Sequence, residues 1–301
     1  MRTVATSAGE NLQVAAEHGR ICAIATTGQR DLAEYTGGYP ELFPAKPFDP
    51  AFFAAVSLAS AFSAPWCTPE QLRLTNRAAV WVRALRWSVH HRAASAADVE
   101  ILIDRCRAVA HGVPAGEHDE LGRFLGDLLA QLLPTPGFAA RRDGWRAELE
   151  RTLNAIGREW RWMSADRARP GASRPTLHEY LDNADSLGST FVHLTHWLRL
   201  GDGSALAHLN ELITVSREAQ RVLRLVDDLT SAGRGGDRGD FDALLTADRS
   251  TVEEQVGHLV DRCRELLRPL EVRCPNQASY LARQLGFNSG FHRIADLWGN
   301  T

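Results

Sequence analysis

The chain has 301 residues, of which 44% are hydrophobic and 24% are charged, and its formal net charge is −3. This length and apolar content suit a globular protein with a substantial core. The near-neutral charge argues against nucleic acid as a partner, and the sequence has no apolar run long enough to span a membrane. The five cysteines are isolated, which predicts neither a zinc site nor a disulfide framework and fits a reduced, cytoplasmic protein.

The N-terminal segment, residues 1–50, is rich in residues that favour turns. Thr26-Thr-Gly-Gln is followed by Gly37-Gly-Tyr-Pro and by three further prolines before residue 51. Gly and Pro in such clusters interrupt regular structure. We therefore expect an irregular arm over 1–50, with at most one short helix, and a helical domain over 51–301.

Helical periodicity dominates from Phe52 onward. Thr68 precedes a proline and begins a long apolar helix, and Ser95 with Asp98 forms the pattern of a helix N-terminal cap. Helices are also predicted over 117–133, 138–163, 176–198, 204–232, 251–270 and 275–297. With no strongly alternating segment, the sequence predicts an all-α, single-domain bundle of about ten helices.

One predicted helix carries a pattern suited to a metal ion and an anion. Asp227, Ser231 and position 235 recur every four residues, so they project from one helical face. A carboxylate and a hydroxyl are oxygen ligands of the kind that Mg²⁺ prefers. Arg224 and Arg234 flank this face, and guanidinium groups can grip phosphate oxygens.

This pattern resembles the second metal motif of class I terpene synthases. Gly235 stands where that motif ends in Glu, and the nearest carboxylate is Asp237. Pro175-Thr-Leu-His-Glu-Tyr-Leu181 is similar to a segment that opens a central helix in bacterial members. The C-terminal segment that contains Arg293 and Trp298 is similar to one in bacterial diterpene-type synthases.

The resemblance implies a helical bundle around an apolar pocket, with a diphosphate and Mg²⁺ at its mouth. It places the family's Asp-rich first motif at positions 86 and 90, where this chain has Arg86 and His90. An arginine cannot ligate Mg²⁺ and would repel it. The arginine that senses phosphate in the family, expected shortly after Tyr180, is also missing. We therefore expect Mg²⁺ binding to be weakened, with Asp227 and Ser231 as a vestigial site.

Roles for individual residues follow from the same resemblance. Arg86 and His90 are the candidate catalytic residues, as direct phosphate donors or as acid–base groups, because histidine titrates near neutral pH. The candidate substrate-binding residues comprise the cations that would hold the anionic head and the aromatic side chains that would line the pocket: Arg224, Arg234, Arg293, Trp87, Phe191, Trp197 and Trp298.

Three functional interpretations stay open on the sequence. The first is a noncanonical cyclase of bacterial specialised metabolism that acts on a polyprenyl diphosphate, with a diterpenoid favoured. The second is a metal-independent cyclase that acts on a polyene without diphosphate, by proton initiation or a pericyclic step. The third is a catalytically inactive homologue. In each case the partner is a small isoprenoid, and the sequence leaves a homodimer open.

Overall fold

The computed structural model describes residues 8–171, 174–232 and 241–291. Within these ranges the chain is all helical, with short 3-10 turns and no strand. The helices are α1 Ala8–Thr36, α2 Pro50–Ser63, α3 Pro69–His91, α4 Ala96–Ala110, α5 Glu120–Leu132, α6 Arg142–Ala168, α7 Leu177–Asp182, α8 Ser189–Leu200, α9 Gly203–Ala207, α10 Leu209–Ala232, α11 Arg249–Leu267, α12 Leu270–Arg273 and α13 Pro275–Phe291. None of the described helices is long and apolar enough to cross a bilayer.

The N-terminal segment differs from the expected irregular arm. Residues 8–36 form one continuous helix, α1, and only the connection from there to α2 is irregular. Thr26 and Thr27 donate hydrogen bonds to the carbonyls four residues earlier, so they are accommodated inside the helix. At Gly28 a Cβ atom would lie 2.8 Å from Asn76 Nδ2 and 3.2 Å from Ser57 Oγ. This glycine therefore lets α1 pack closely on α2 and α3, and it does not mark a turn as the sequence suggested.

Local capping explains where the central helices begin. The Thr68 hydroxyl accepts a hydrogen bond from the Gln71 backbone amide, and the Gln71 side-chain oxygen accepts one from the Thr68 backbone amide. Ser95 and Asp98 make the same reciprocal pair at the start of α4. Both predicted helix starts are confirmed. Each cap satisfies amide groups that lack partners in the first turn.

The predicted helix over 176–198 is in fact broken. It ends at Asp182, a 3-10 turn follows over Ala184–Leu187, and α8 begins after Gly188. Gly188 has φ 65°, and a Cβ atom there would lie 2.6 Å from Val82 Cγ1. A left-handed backbone and a close approach to α3 both require glycine. The break turns the chain beside α3 and α10, where the cavity described below is found.

Candidate functional site

A cavity of about 100 Å³ lies among α2, α3, α8, α10, α13 and the 3-10 turn before α8. Its wall is apolar where α2, α3 and α8 face it, through Val56, Ala79, Val82 and Val192. Arg83 and Asp227 bring opposite charges to it from α3 and α10. The remaining lining residues are Ala59, Ser60, Leu187, Ser189, His193, Leu223, Tyr280, Gln284 and Asn288. Of the predicted site residues whose side chains the structure describes, Asp227 alone is among those that line it.

Arg86 lies in a buried ion-pair network. Its guanidinium Nη2 donates to Glu159 Oε1 of α6 at 3.1 Å. Arg224 of α10 approaches the same carboxylate from the other side, with Nη1 at 3.1 Å from Oε2 and Nη2 at 3.0 Å from Oε1. Glu159 is 1% exposed. Burial opposes its ionisation, but the positive charges of Arg224 and Arg86 outweigh burial and hold the pKa of Glu159 well below its usual range.

Arg224 continues this network towards α7 and the end of α10. Its Nε contacts the Tyr180 hydroxyl, and its Nη2 donates to the Phe241 carbonyl at 2.9 Å. The Tyr180 hydroxyl donates to Asp228 Oδ2 at 2.7 Å, and the same oxygen accepts the Ala243 amide at 3.1 Å. Burial raises the pKa of Asp228 to about 7, although Arg224 and the Tyr180 hydrogen bond act in the opposite direction. Arg224 thus ties four segments together.

The predicted aromatic residues lie mainly in the core. Phe191 is fully buried between the rings of Trp81 and Trp145, with centroid distances of 5.8 and 5.2 Å. Trp87 packs edge-on against Phe48 and accepts the Arg92 guanidinium at 4.5 Å on its face. Neither is among the residues that line the cavity.

Trp197 is also buried, and its ring is 6.0 Å from that of His193. It stands behind the cavity wall and does not line the cavity. Arg234, Arg293 and Trp298 lie outside the described residues, and Ser231 belongs to α10 with a side chain that is not described.

A multinuclear Mg²⁺ site does not fit the described residues. Among residues 8–171, 174–232 and 241–291, no three His, Cys, Asp or Glu side chains are grouped to hold a metal ion. The Asp228 carboxylate is directed to Tyr180 and Ala243, and at position 86 there is a guanidinium paired with Glu159. Asp227 contributes one carboxylate at the cavity.

A second polar feature, centred on His193, lies on the cavity wall. His193 Nδ1 is 2.7 Å from Ser216 Oγ, and Ser216 donates to Thr190 at 3.2 Å. When Ser216 donates to Thr190, its oxygen accepts the His193 Nδ1–H, and Nε2 is then the unprotonated nitrogen. The Tyr280 ring meets the His193 ring edge-on at 5.2 Å. Burial, aided by His196, lowers the pKa of His193 to about 3, so the ring is neutral.

Sequence reasoning missed four of these residues. Glu159 is the acidic centre of the buried network, and Arg83, His193 and Tyr280 line the cavity. A signal existed for Glu159, since it lies on the apolar stripe of its helix, but its partners are 73 and 65 residues away in sequence.

No family model and no curated protein matches the chain. Several solved structures match it in fold. Germacradien-4-ol synthase from Streptomyces citricolor matches with a TM-score of 0.69 at 15% identity, over 89% of this chain and 94% of that one. A cucumene synthase variant gives 0.69 at 16% identity, over 90% and 96% of the two chains. 2-Methylisoborneol synthase from Streptomyces coelicolor gives 0.68 at 15% identity, over 90% and 89%. The chain therefore has the all-α fold of class I terpene synthases.

Proposed function

We propose that this protein is a divergent terpene-synthase-like cyclase, which ionises a polyprenyl diphosphate or activates a related polyene in its cavity. The observation that carries the proposal is a cavity with an apolar wall and charged residues, Arg83 and Asp227, within the class I terpene synthase fold. In such chemistry the allylic carbon–oxygen bond breaks, and its electron pair leaves with the diphosphate oxygen. The carbocation that remains survives only where water is excluded.

Arg83 is the best candidate to hold the anionic head of the substrate. It lies on α3, one turn before Arg86, and lines the cavity together with Asp227. Arg–phosphate hydrogen bonds are charge-assisted and fix orientation. We propose that Arg234 adds to this site, as the sequence pattern indicates.

Arg86 and Arg224 have a different role in this proposal. Both are buried and bonded to Glu159, so they position α3 and α10 against α6 and leave the substrate contact to Arg83. His90 lies close enough to Glu159 to influence its ionisation and belongs to the same network. We propose that Asp227 and Ser231 retain at most weak Mg²⁺ binding.

Substrate length is limited by the cavity. About 100 Å³ is well below the roughly 300–1,000 Å³ of typical ligand pockets, so a chain of 15 to 20 carbons requires the cavity to widen. A C20 diterpenoid precursor remains the length that the sequence resemblance favours. A C10 substrate needs the smallest change.

The test is incubation with geranyl, farnesyl and geranylgeranyl diphosphates, with Mg²⁺ and with EDTA, followed by mass spectrometry of products and assay of released pyrophosphate. Arg83→Ala should reduce pyrophosphate release at least tenfold, the effect of one lost charge-assisted contact. Arg158→Ala removes an exposed arginine of α6 and should leave release unchanged. If wild-type protein releases no pyrophosphate from any of the three under either condition, the proposal fails.

The second candidate function is cyclisation without metal or diphosphate. It is favoured by the guanidinium at position 86, where the family resemblance implies an acidic ligand. Proximity and orientation in the cavity would then supply the rate. Product formation from a polyene alcohol or hydrocarbon, unaffected by EDTA, would identify this activity, and failure of every substrate would favour the inactive homologue.

A further inference from the structure

Tyr280 carries a buried hydroxyl group at the cavity that protein atoms do not satisfy. Its side chain is 1% exposed and lines the cavity. Among the described residues, the hydroxyl has no hydrogen-bond partner of normal geometry, although the Gln284 side chain lies close enough to influence its ionisation. A buried hydroxyl without a partner costs about 1–3 kcal/mol. Because the Tyr280 side chain lines the cavity, we take the missing partner to come from inside it.

His193 offers the complementary group beside it. The ring of His193 also lines the cavity, and its Nδ1 is used by Ser216. No described residue bonds to its Nε2, which is the unprotonated nitrogen in the arrangement set by Ser216 and Thr190. One wall of the cavity thus presents a hydroxyl donor and a neutral nitrogen acceptor.

We infer that Tyr280 and His193 form a binding subsite for a neutral oxygen that both accepts and donates a hydrogen bond, namely a water molecule or a hydroxyl group of the ligand. A carbonyl oxygen could accept from Tyr280 but could not donate to His193 Nε2. A purely hydrocarbon surface would leave both groups unsatisfied. The subsite lies within the cavity of the proposed function. A reaction at the subsite therefore rests on the proposed cyclase activity, whereas binding of a ligand there does not.

If water is the occupant, the subsite supplies an alcohol-forming step. The water oxygen forms a bond to the carbocation carbon, one of its O–H bonds breaks, and that proton passes to His193 Nε2. No oxidant is required. The low pKa of His193, lowered to about 3 by burial, does not prevent this transfer, because a protonated alcohol is far more acidic. If a ligand hydroxyl is the occupant, the same two groups orient the substrate without reaction.

The first experiment measures binding and needs no turnover. Linalool and myrcene have the same number of carbon atoms and differ by a hydroxyl group, and both are small probes for this cavity. Displacement of an environment-sensitive fluorescent probe gives their affinities. One neutral hydrogen bond predicts that wild-type protein binds linalool about fivefold more tightly than myrcene.

Tyr280→Phe removes only the hydroxyl and should reduce this preference to less than twofold. His193→Leu should do the same. Thr75→Val is the matched control, because Thr75 is fully buried and its hydroxyl bonds to His196 Nδ1 at 2.8 Å, but it does not line the cavity. Its preference for linalool should be retained. Melting curves identify any variant that fails to fold, and Tyr280→Phe, the smaller change, decides the matter if His193→Leu does not fold.

The second experiment separates the two sources of oxygen. The diphosphate that turns over best is incubated in water labelled with ¹⁸O, and the alcohol-to-hydrocarbon ratio is measured in wild type and in Tyr280→Phe. Label in the alcohol, with a ratio that falls at least fivefold in the variant, identifies water as the occupant. Unlabelled products together with a linalool preference that Tyr280→Phe removes identify a ligand hydroxyl.

Equal affinity of wild-type protein for linalool and myrcene would overturn the inference. So would a preference that Tyr280→Phe leaves unchanged. Either result stands whether or not pyrophosphate is released, so failure of the subsite is distinguishable from failure of the proposed cyclase.

Discussion

Replacing Glu159 by glutamine tests the buried network directly. The substitution keeps the shape of the side chain but removes the negative charge between Arg86 and Arg224, whose donors lie 3.0–3.1 Å from the carboxylate. Both guanidinium groups are nearly inaccessible to water. Breaking a buried ion pair by removing one partner costs about 3–5 kcal/mol, because the remaining charge stays uncompensated. We expect a loss of this size in the free energy of unfolding.

Glu150→Gln provides the control within the same helix. Glu150 also pairs with an arginine, Arg107, at 2.6 Å, but its side chain is 42% exposed. Exposed pairs contribute about 0–1 kcal/mol. Urea unfolding followed by circular dichroism and tryptophan fluorescence gives both values. If the two variants differ by less than about 1 kcal/mol, the network does not hold α6 to α3 and α10 as described.

The same geometry predicts the outcome of restoring an acidic residue at position 86. Arg86→Asp would place a second carboxylate beside Glu159 and remove one of its neutralising charges. We expect destabilisation comparable to that of Glu159→Gln, with no gain in Mg²⁺ binding. Calorimetry with pyrophosphate and Mg²⁺ measures the gain. Strong Mg²⁺-dependent binding by a stable Arg86→Asp variant would refute this account of the site.

Two further predictions concern stability. Burial lowers the pKa values of His193 and His196 to about 3 and about 4. Between these values and about pH 6.5, the unfolded chain therefore binds more protons than the folded protein. The two histidines contribute fully to the free energy of unfolding above about pH 6.5. As the pH falls, each loses up to about 1.4 kcal/mol of this contribution per pH unit. The urea midpoint of a variant with both histidines replaced by glutamine should therefore depend less steeply on pH between about 6 and 5 than that of the wild type. Gly188→Ala combines a positive φ with a Cβ 2.6 Å from Val82, whereas Gly201→Ala has φ 66° and 3.7 Å to its nearest contact. Gly188→Ala should lower the melting temperature more than Gly201→Ala. Equal shifts would show that the Val82 side chain moves aside without cost.

Periodicity and capping predicted most of the helical framework because these signals are local. Thr68 and Ser95 define helix starts within four residues of sequence, and the structure confirms both. The break at Gly188 was not predicted, because the close approach of Val82, which requires glycine there, comes from another helix. The fold class was correct, since the motif segments kept their order and spacing.

The candidate site was harder to predict because its partners are distant in sequence. Arg86 was expected to face substrate, and no local pattern shows that Glu159 neutralises it. Glu159 lies three residues after Ile156 and four before Met163, both buried, so the apolar stripe of α6 offered a signal of its burial that the sequence analysis did not use. Cavity position also depends on the whole bundle, which is why Tyr280 was overlooked.

The packing of α1 means that residue 50 is a poor place to divide the chain. Asp31 pairs with Arg73 and Arg77 of α3 at 2.8 and 3.0 Å, and Ile21 and Leu32 are fully buried. A protein beginning at residue 51 and a synthetic peptide of residues 8–36 would each expose the apolar face that the other covers. The two should behave as complementing fragments, with the peptide restoring the solubility and folding of the shortened protein in trans.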